Sequence, residues 1–113
     1  MEFKIVDIDG GLSRLELSGR LDAAGAEILE APLSAQFAAL RRSVLIDLSQ
    51  VAFLGSLGIR VLVSASRLLK RHGLQIAIYG ANPMVADVMH TVSLDQIIPI
   101  AADEASARAL VGA

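Results

Sequence analysis

Residues 44–60, Val-Leu-Ile-Asp-Leu-Ser-Gln-Val-Ala-Phe-Leu-Gly-Ser-Leu-Gly-Ile-Arg, constrain the fold more than any other part of this chain. Val44 to Leu48 is a nearly continuous apolar run, as expected of a central strand covered on both faces. A short apolar connector follows, and Gly55-Ser56-Leu57-Gly58 stands where a helix begins. From Leu57 to His72 the spacing predicts that helix, ended by Gly73, with Gly58, Val61, Leu62, Ala65, Leu68 and Leu69 as its core stripe. Arg60, Ser64, Arg67 and Arg71 lie on the opposite face. A serine so placed is held at the surface between rigid elements. It also faces the backbone N–H groups that a first helical turn leaves unpaired, where negative charge is favoured. Four roles are open to Ser56: nucleophile, phosphate contact, phosphorylation site and helix cap.

The flanking segments supply the rest of the architecture. Phe3 to Ile8 is β-rich, Asp9-Gly10-Gly11 is a turn, and Leu12 to Gly19 alternates with Leu15 and Leu17 on one face and Arg14 and Glu16 on the other. Two such strands joined by an Asp-Gly signal form a hairpin. Asp22 is the expected N-cap of the helix after it. Over Ala23–Leu40, the residues Leu29, Leu33, Phe37 and Leu40 recur at helical spacing. Pro32 is expected to kink or divide that helix, and Arg41 and Arg42 to close it.

Leu74, Ile76 and Ile78 alternate in the next strand. Gly80-Ala81-Asn82-Pro83 then turns into a helix capped by Asn82, with Pro83 at its first position and Met84, Val85, Val88 and Met89 as its apolar face. Gln96 to Ile98 is expected to be the last strand and Asp103 to Val111 the last helix. The order β-β-α-β-α-β-α-β-α predicts an α/β fold in one domain over 1–113: a mixed four- to five-stranded sheet with about four helices packed on it.

Composition narrows the function classes. Of the 113 residues, 54% are hydrophobic, yet there are three Phe, one Tyr and no Trp, so the core is aliphatic. The net charge of −2, with both signs interspersed, gives no basic field for nucleic acid or an anionic membrane. The absence of cysteine removes disulfides, thiol catalysis and thiolate metal sites together. No apolar stretch approaches the ~18 residues of a membrane span, and Met1 to Ile5 lacks the pattern of a signal peptide. A cytoplasmic location is the expectation.

Catalytic readings of Ser56 meet obstacles of spacing. A nucleophile elbow requires Gly-x-Ser-x-Gly, whereas Leu54 stands two residues before Ser56. The only histidines, His72 and His90, fall near predicted helix ends, with His72 some four turns away. Gly55-Ser56-Leu57-Gly58 has neither the Lys-Ser/Thr pair of a P-loop nor the spacing of a dinucleotide fingerprint, so no cofactor is expected. No His, Asp and Glu cluster has metal-ligand spacing. Asp7 and Asp9 read as hairpin residues, Asp47 as solvated or capping, and Asp87 with His90 as a solvated face.

At about 100° per residue, Ser56, Ile59, Arg60 and Val63 share a sector beside the core stripe. A hydroxyl, two aliphatic residues and an arginine side by side read as a docking patch, unless another helix covers Ile59 and Val63.

Asp47-Leu48-Ser49-Gln50-Val51-Ala52-Phe53-Leu54-Gly55-Ser56-Leu57-Gly58-Ile59 resembles the pattern Asp-Leu-Ser-x-Val-x-Phe-x-Asp-Ser-Ser-Gly-(Leu/Ile) of the STAS domain. Gly19-Arg20-Leu21-Asp22 is similar to the Gly-x-Leu-Asp that ends the family's second strand, and the element order agrees throughout. The best match is to stand-alone bacterial anti-sigma factor antagonists. Gly55 replaces the usual acidic residue and Leu57 the usual following serine.

This resemblance implies a non-enzymatic phosphoprotein that regulates transcription by partner switching. The unphosphorylated form would bind an anti-sigma factor with a histidine-kinase-like ATPase and serine kinase fold. Phosphorylation of Ser56 would release it, and a metal-dependent serine phosphatase would reverse the change. The implied partner surface comprises Asp22, Leu54, Gly55, Ser56, Leu57, Gly58, Ile59, Arg60 and Val63. A homodimer through the same flank is a further expectation, as is a transporter or stress-signalling subunit whose Ser56 caps a helix in a constitutive interface. A small serine hydrolase is the alternative outside the fold.

Overall fold

A computed structural model describes residues 1–39 and 41–112, together with all their side chains except that of Asp9. Strands β1 (Glu2–Asp9) and β2 (Leu12–Leu21) form the hairpin, pairing Phe3 with Leu17 and Ile5 with Leu15. Strands β3 (Ser43–Leu54), β4 (Ile76–Tyr79) and β5 (Ile100–Ala101) then add in parallel, so the spatial order equals the chain order, β1-β2-β3-β4-β5. The result is a mixed sheet with one antiparallel edge.

Helices α1 (Ala23–Ala39), α2 (Ser56–Arg71) and α3 (Pro83–Thr91) cover one face. They bury Leu29, Leu33, Phe37, Leu62, Leu69 and Val85 against Leu15, Leu17, Val44, Ile46, Ile76 and Ile78. Alternation along the strands sends Leu12, Leu45, Ala77 and Tyr79 to the other face, where α4 (Glu104–Leu110) packs through Ala107. Arg14 ties α4 down by donating to Glu104 (2.6 Å) while pairing with Glu16 (2.8 Å). Among the described residues, no helix is long and apolar enough to cross a membrane.

Five expectations change. The connector after Leu48 is strand: β3 continues through Leu54, pairing Ser18 with Gln50 and Leu21 with Leu54. Register shifts at Glu16/Ser18 and Gly19/Arg20 break the alternation there, so exposed Ser49 and Gln50 interrupt the apolar pattern of a continuous strand. Pro32 does not divide α1, which runs unbroken from Ala23 to Ala39, because it stands on the exposed side and leaves the buried Leu29, Leu33 and Phe37 stripe intact. Leu40 lies outside the described residues.

Arg41 and Arg42 lie beyond α1 rather than closing it. Arg42 instead fastens its loop to the hairpin, donating to Ser13 Oγ (2.8 Å) and Leu12 O (2.7 Å) within 3.2 Å of Asp7. Gln96 belongs to a 3₁₀ turn over Leu94–Gln96, and buried Ile98 plugs the core, so pairing with β4 begins one residue later, where Ile78 N donates to Pro99 O (2.9 Å). Met84 is 62% exposed and leaves the apolar face of α3 to Val85 and Met89, with Val88 partly covered. The Asn82 cap forms as expected, accepting from Val85 N at 2.8 Å.

Candidate functional site

Strands β2 and β3 end side by side, and that shared end builds the site. Leu21 pairs with Leu54, and Gly55 N donates to Leu21 O (3.0 Å) as the chain turns into α2. Asp22 and Ser56 therefore leave the sheet from neighbouring positions. Gly55, extended at φ −110 and ψ 178, is the N-cap of α2, and its carbonyl accepts from Ile59 N (3.0 Å). Ser56 is thus the first helical residue and not the cap. A cap must precede the helix with extended backbone, and Gly55 already occupies that position.

The consequence is a free hydroxyl. Ser56 is exposed, and its side chain has no hydrogen-bond partner among the described residues. No acidic side chain occupies the first turn and no side chain caps it, so its N–H groups keep their partial positive charge. Any anion built on Ser56 would sit in that field.

Asp22 is the N-cap of α1. Its Oδ1 accepts from Gly25 N (2.9 Å), its carbonyl from Ala26 N (2.8 Å), and its Oδ2 lies 3.4 Å from Arg20 Nε. The bond from Gly25 N, with the Arg20 guanidinium adding to it, holds its carboxyl below the usual range. Arg20 also stacks over the Phe53 ring, 4.5 Å from its centroid. That ring lies beside Gly55, where an added Cβ would meet Phe53 Cε2 at 3.2 Å.

The expected partner residues divide by exposure. Ser56, Leu57 and Arg60 are exposed, with Leu57 at 40%. Ile59 and Val63 are half-buried, packed against the core but still reaching solvent. Leu54 and Gly58 are buried, so they support the surface from beneath. Two contributors went unread in the sequence. Gly25 lies against the Arg20 carbonyl with no room for a Cβ, and Ser66 sits within the core stripe in place of half-buried Leu68. A glycine in the first turn of a helix that follows a strand directly was the signal for Gly25.

The structure does not assemble a hydrolase triad. His72 lies about 24 Å along α2 from Ser56 at 1.5 Å per residue, where it accepts from Arg41 Nη1 (3.1 Å). His90 is exposed at the end of α3. Asp47 accepts from Ser49 N (2.8 Å) within β3. Among the described residues, no three His, Asp or Glu side chains group as metal ligands.

The STAS domain model matches residues 4–107. The chain belongs to the STAS domain family. Within it, the chain is 30% identical to BtrV of Bordetella bronchiseptica over 109 residues, covering 96% of this chain and 93% of that protein. BtrV's own assignment as an anti-sigma factor antagonist is provisional. An anti-sigma factor antagonist from Mycobacterium paratuberculosis superposes with a TM-score of 0.87 at 28% identity, covering 99% of this chain and 94% of that one. The antagonist SpoIIAA in its unphosphorylated form shares the fold, with a TM-score of 0.79 at 18% identity over 99% and 98% of the two chains. The two solved structures are of anti-sigma factor antagonists, and this STAS chain matches them and BtrV nearly end to end.

Proposed function

We propose that this STAS domain is an anti-sigma factor antagonist whose binding is switched by phosphorylation of Ser56. The observation that carries this reading is the exposed, unpartnered Ser56 hydroxyl on the first helical residue, beside Asp22 and next to exposed Leu57. A kinase needs a hydroxyl that is both reachable and uncommitted to the fold, and a cap serine would satisfy only the first condition.

The physics of the position makes a clean switch. A phosphate adds about −1.5 to −2 charges at pH 7. At a helix amino end such charge is favourable, by roughly 0.3–1 kcal/mol for ordinary anions. The fold persists, while charge and bulk arrive beside Leu57 and Ile59. The partner is an anti-sigma factor with a serine kinase activity, and a serine phosphatase restores the binding form. Gly55, in place of the family's acidic residue, leaves the cap without a charge that would repel that phosphate.

The test is incubation of the chain with a candidate anti-sigma factor kinase and ATP, followed by mass spectrometry. One phosphate on Ser56, absent from Ser56→Ala, supports the switch. A stable complex with no phosphate transfer overturns it and favours a subunit with a constitutive interface.

A further inference from the structure

The outer face of α2 carries charge that the fold uses only at Lys70, whose Nζ donates to Ile97 O (2.7 Å). Arg60, Arg67, Lys70 and Arg71 all lie on this helix, which has no acidic residue. With a chain total of −2, the helix contributes +4 and the remainder −6. Among the described residues, Arg60, Arg67 and Arg71 make no ion pair, whereas Arg14, Arg20, Arg42 and Arg108 each have a carboxylate partner. Arg67 and Arg71 are a like-charge pair one turn apart, which disfavours the helix. A mutually repelling, unneutralised row on an otherwise acidic molecule is a departure from local consistency of the kind that marks function.

The row has direction. At about 100° per residue, Ser56, Arg60, Ser64, Arg67 and Arg71 fall within a sector of roughly 80°, over about 22 Å of helix. It begins at the Ser56 hydroxyl and ends in a shallow depression of about 530 Å³ lined by Ser64, Arg67, Lys70 and Arg71. Half-buried Ile59 and Val63 flank its first half, giving it the mixed apolar and charged character of a protein interface.

We propose that this row, from Ser56 through Arg60 and Arg67 to Arg71, docks an acidic surface of the same protein partner that engages Ser56. The assignment rests on the reading of Ser56 as a partner switch and names the chemistry of the partner. Protein is favoured over nucleic acid or membrane because the remaining −6 repels a polyanion, and Glu30 of α1 lines the small gap beside Ser64. The arginines steer the acidic face into place, which acts mainly on association rate. A phosphate on Ser56 stands one turn from Arg60, pairs with it, and offsets about half to two-thirds of the charge of the three arginines.

The deciding experiment compares wild type with Arg67→Glu/Arg71→Glu, whose exposed positions lie far from Ser56. Association with the purified anti-sigma factor kinase is followed by surface plasmon resonance at about 50 and about 300 mM NaCl. The row predicts at least ~10-fold slower association of the variant at low salt, loss of the wild-type salt dependence, and an intermediate rate for Arg67→Gln/Arg71→Gln. A correctly folded variant that associates at the wild-type rate overturns the row while leaving Ser56 phosphorylation standing. Wild type that neither binds the kinase nor accepts phosphate overturns both. Wild-type retention by duplex DNA or phosphatidylglycerol vesicles at the higher salt, lost in the variant, overturns the assignment to a protein partner.

Discussion

The α carbon of Gly58 lies directly against Leu21: an added Cβ would sit 2.5 Å from Leu21 Cγ and 2.6 Å from Leu21 O. This contact seats the first turn of α2 on the end of β2, and so sets how Ser56 stands beside Asp22. The carbonyl is already committed to Gly55 N, so it cannot retreat without breaking that bond. Gly58→Ala is expected to destabilise by about 2–3 kcal/mol, the upper part of the overpacking range, in urea or thermal unfolding. A loss under 0.5 kcal/mol would show that α2 shifts freely at this end.

Ser66 presents the opposite case. Its hydroxyl is fully buried on α2 and has no hydrogen-bond partner among the described residues. Replacing it with alanine removes an unsatisfied polar atom and adds helix propensity, at the loss of one oxygen's volume. Ser66→Ala should stabilise the fold by roughly 0.5–1 kcal/mol. Destabilisation by more than 1 kcal/mol would mean that the hydroxyl is satisfied in solution.

Tyr79 is the only tyrosine in a chain without tryptophan, so phenolate absorbance reports on it alone. Burial, and then the negative charges of Asp47 and Glu104, push its phenol well above the usual value. A folded pKa above the unfolded one means that stability is complete below pH ~10 and is lost as pH rises further. Phenolate should therefore appear above pH ~10, together with unfolding, and Tyr79→Phe should resist alkali better. Reversible titration near pH 10 with the fold intact would contradict this.

Asp22 sets the acid limit of the site. Its carboxyl is held low, so its contribution is present above the ordinary carboxylate range near pH 4 and is lost as pH falls through the depressed folded value. Asp22→Asn keeps a cap for Gly25 N without a charge to titrate. The variant should unfold with a shallower dependence on pH below 4 than wild type, measured by thermal melts across that range. An unchanged slope would place the acid sensitivity elsewhere, with Asp103 the next carboxylate held low by a helix cap.

Long periodic patterns in the sequence foretold the structure well, and contacts between elements did so poorly. The hairpin, the α2 stripe and the Asn82-Pro83 helix start follow from residues within one turn or one strand pair. The second half of β3 was hidden because its register shifts destroy the period-two signal. The role of Pro32 depended on which side of α1 met solvent, which periodicity marked but composition overrode. The exposed placement of Ser56 and Arg60 and the capping role of Asp22 were legible from motif and spacing. That Gly55 takes the cap position was not, because glycine contributes no side chain to signal it. Gly25 and Gly58 are needed for close approaches to carbonyls on another element, which no local pattern records.

Ser56 joins these observations, since it is exposed and the first turn of its helix holds no acidic side chain and no side-chain cap. The decisive comparison sets Ser56-phosphorylated protein beside the unmodified chain, measuring melting temperature and affinity for the anti-sigma factor kinase in the same buffer. We expect an equal or higher melting temperature together with loss of the complex. A phosphoprotein that melts lower, or that binds the kinase as tightly as the unmodified chain, would contradict the switch at Ser56.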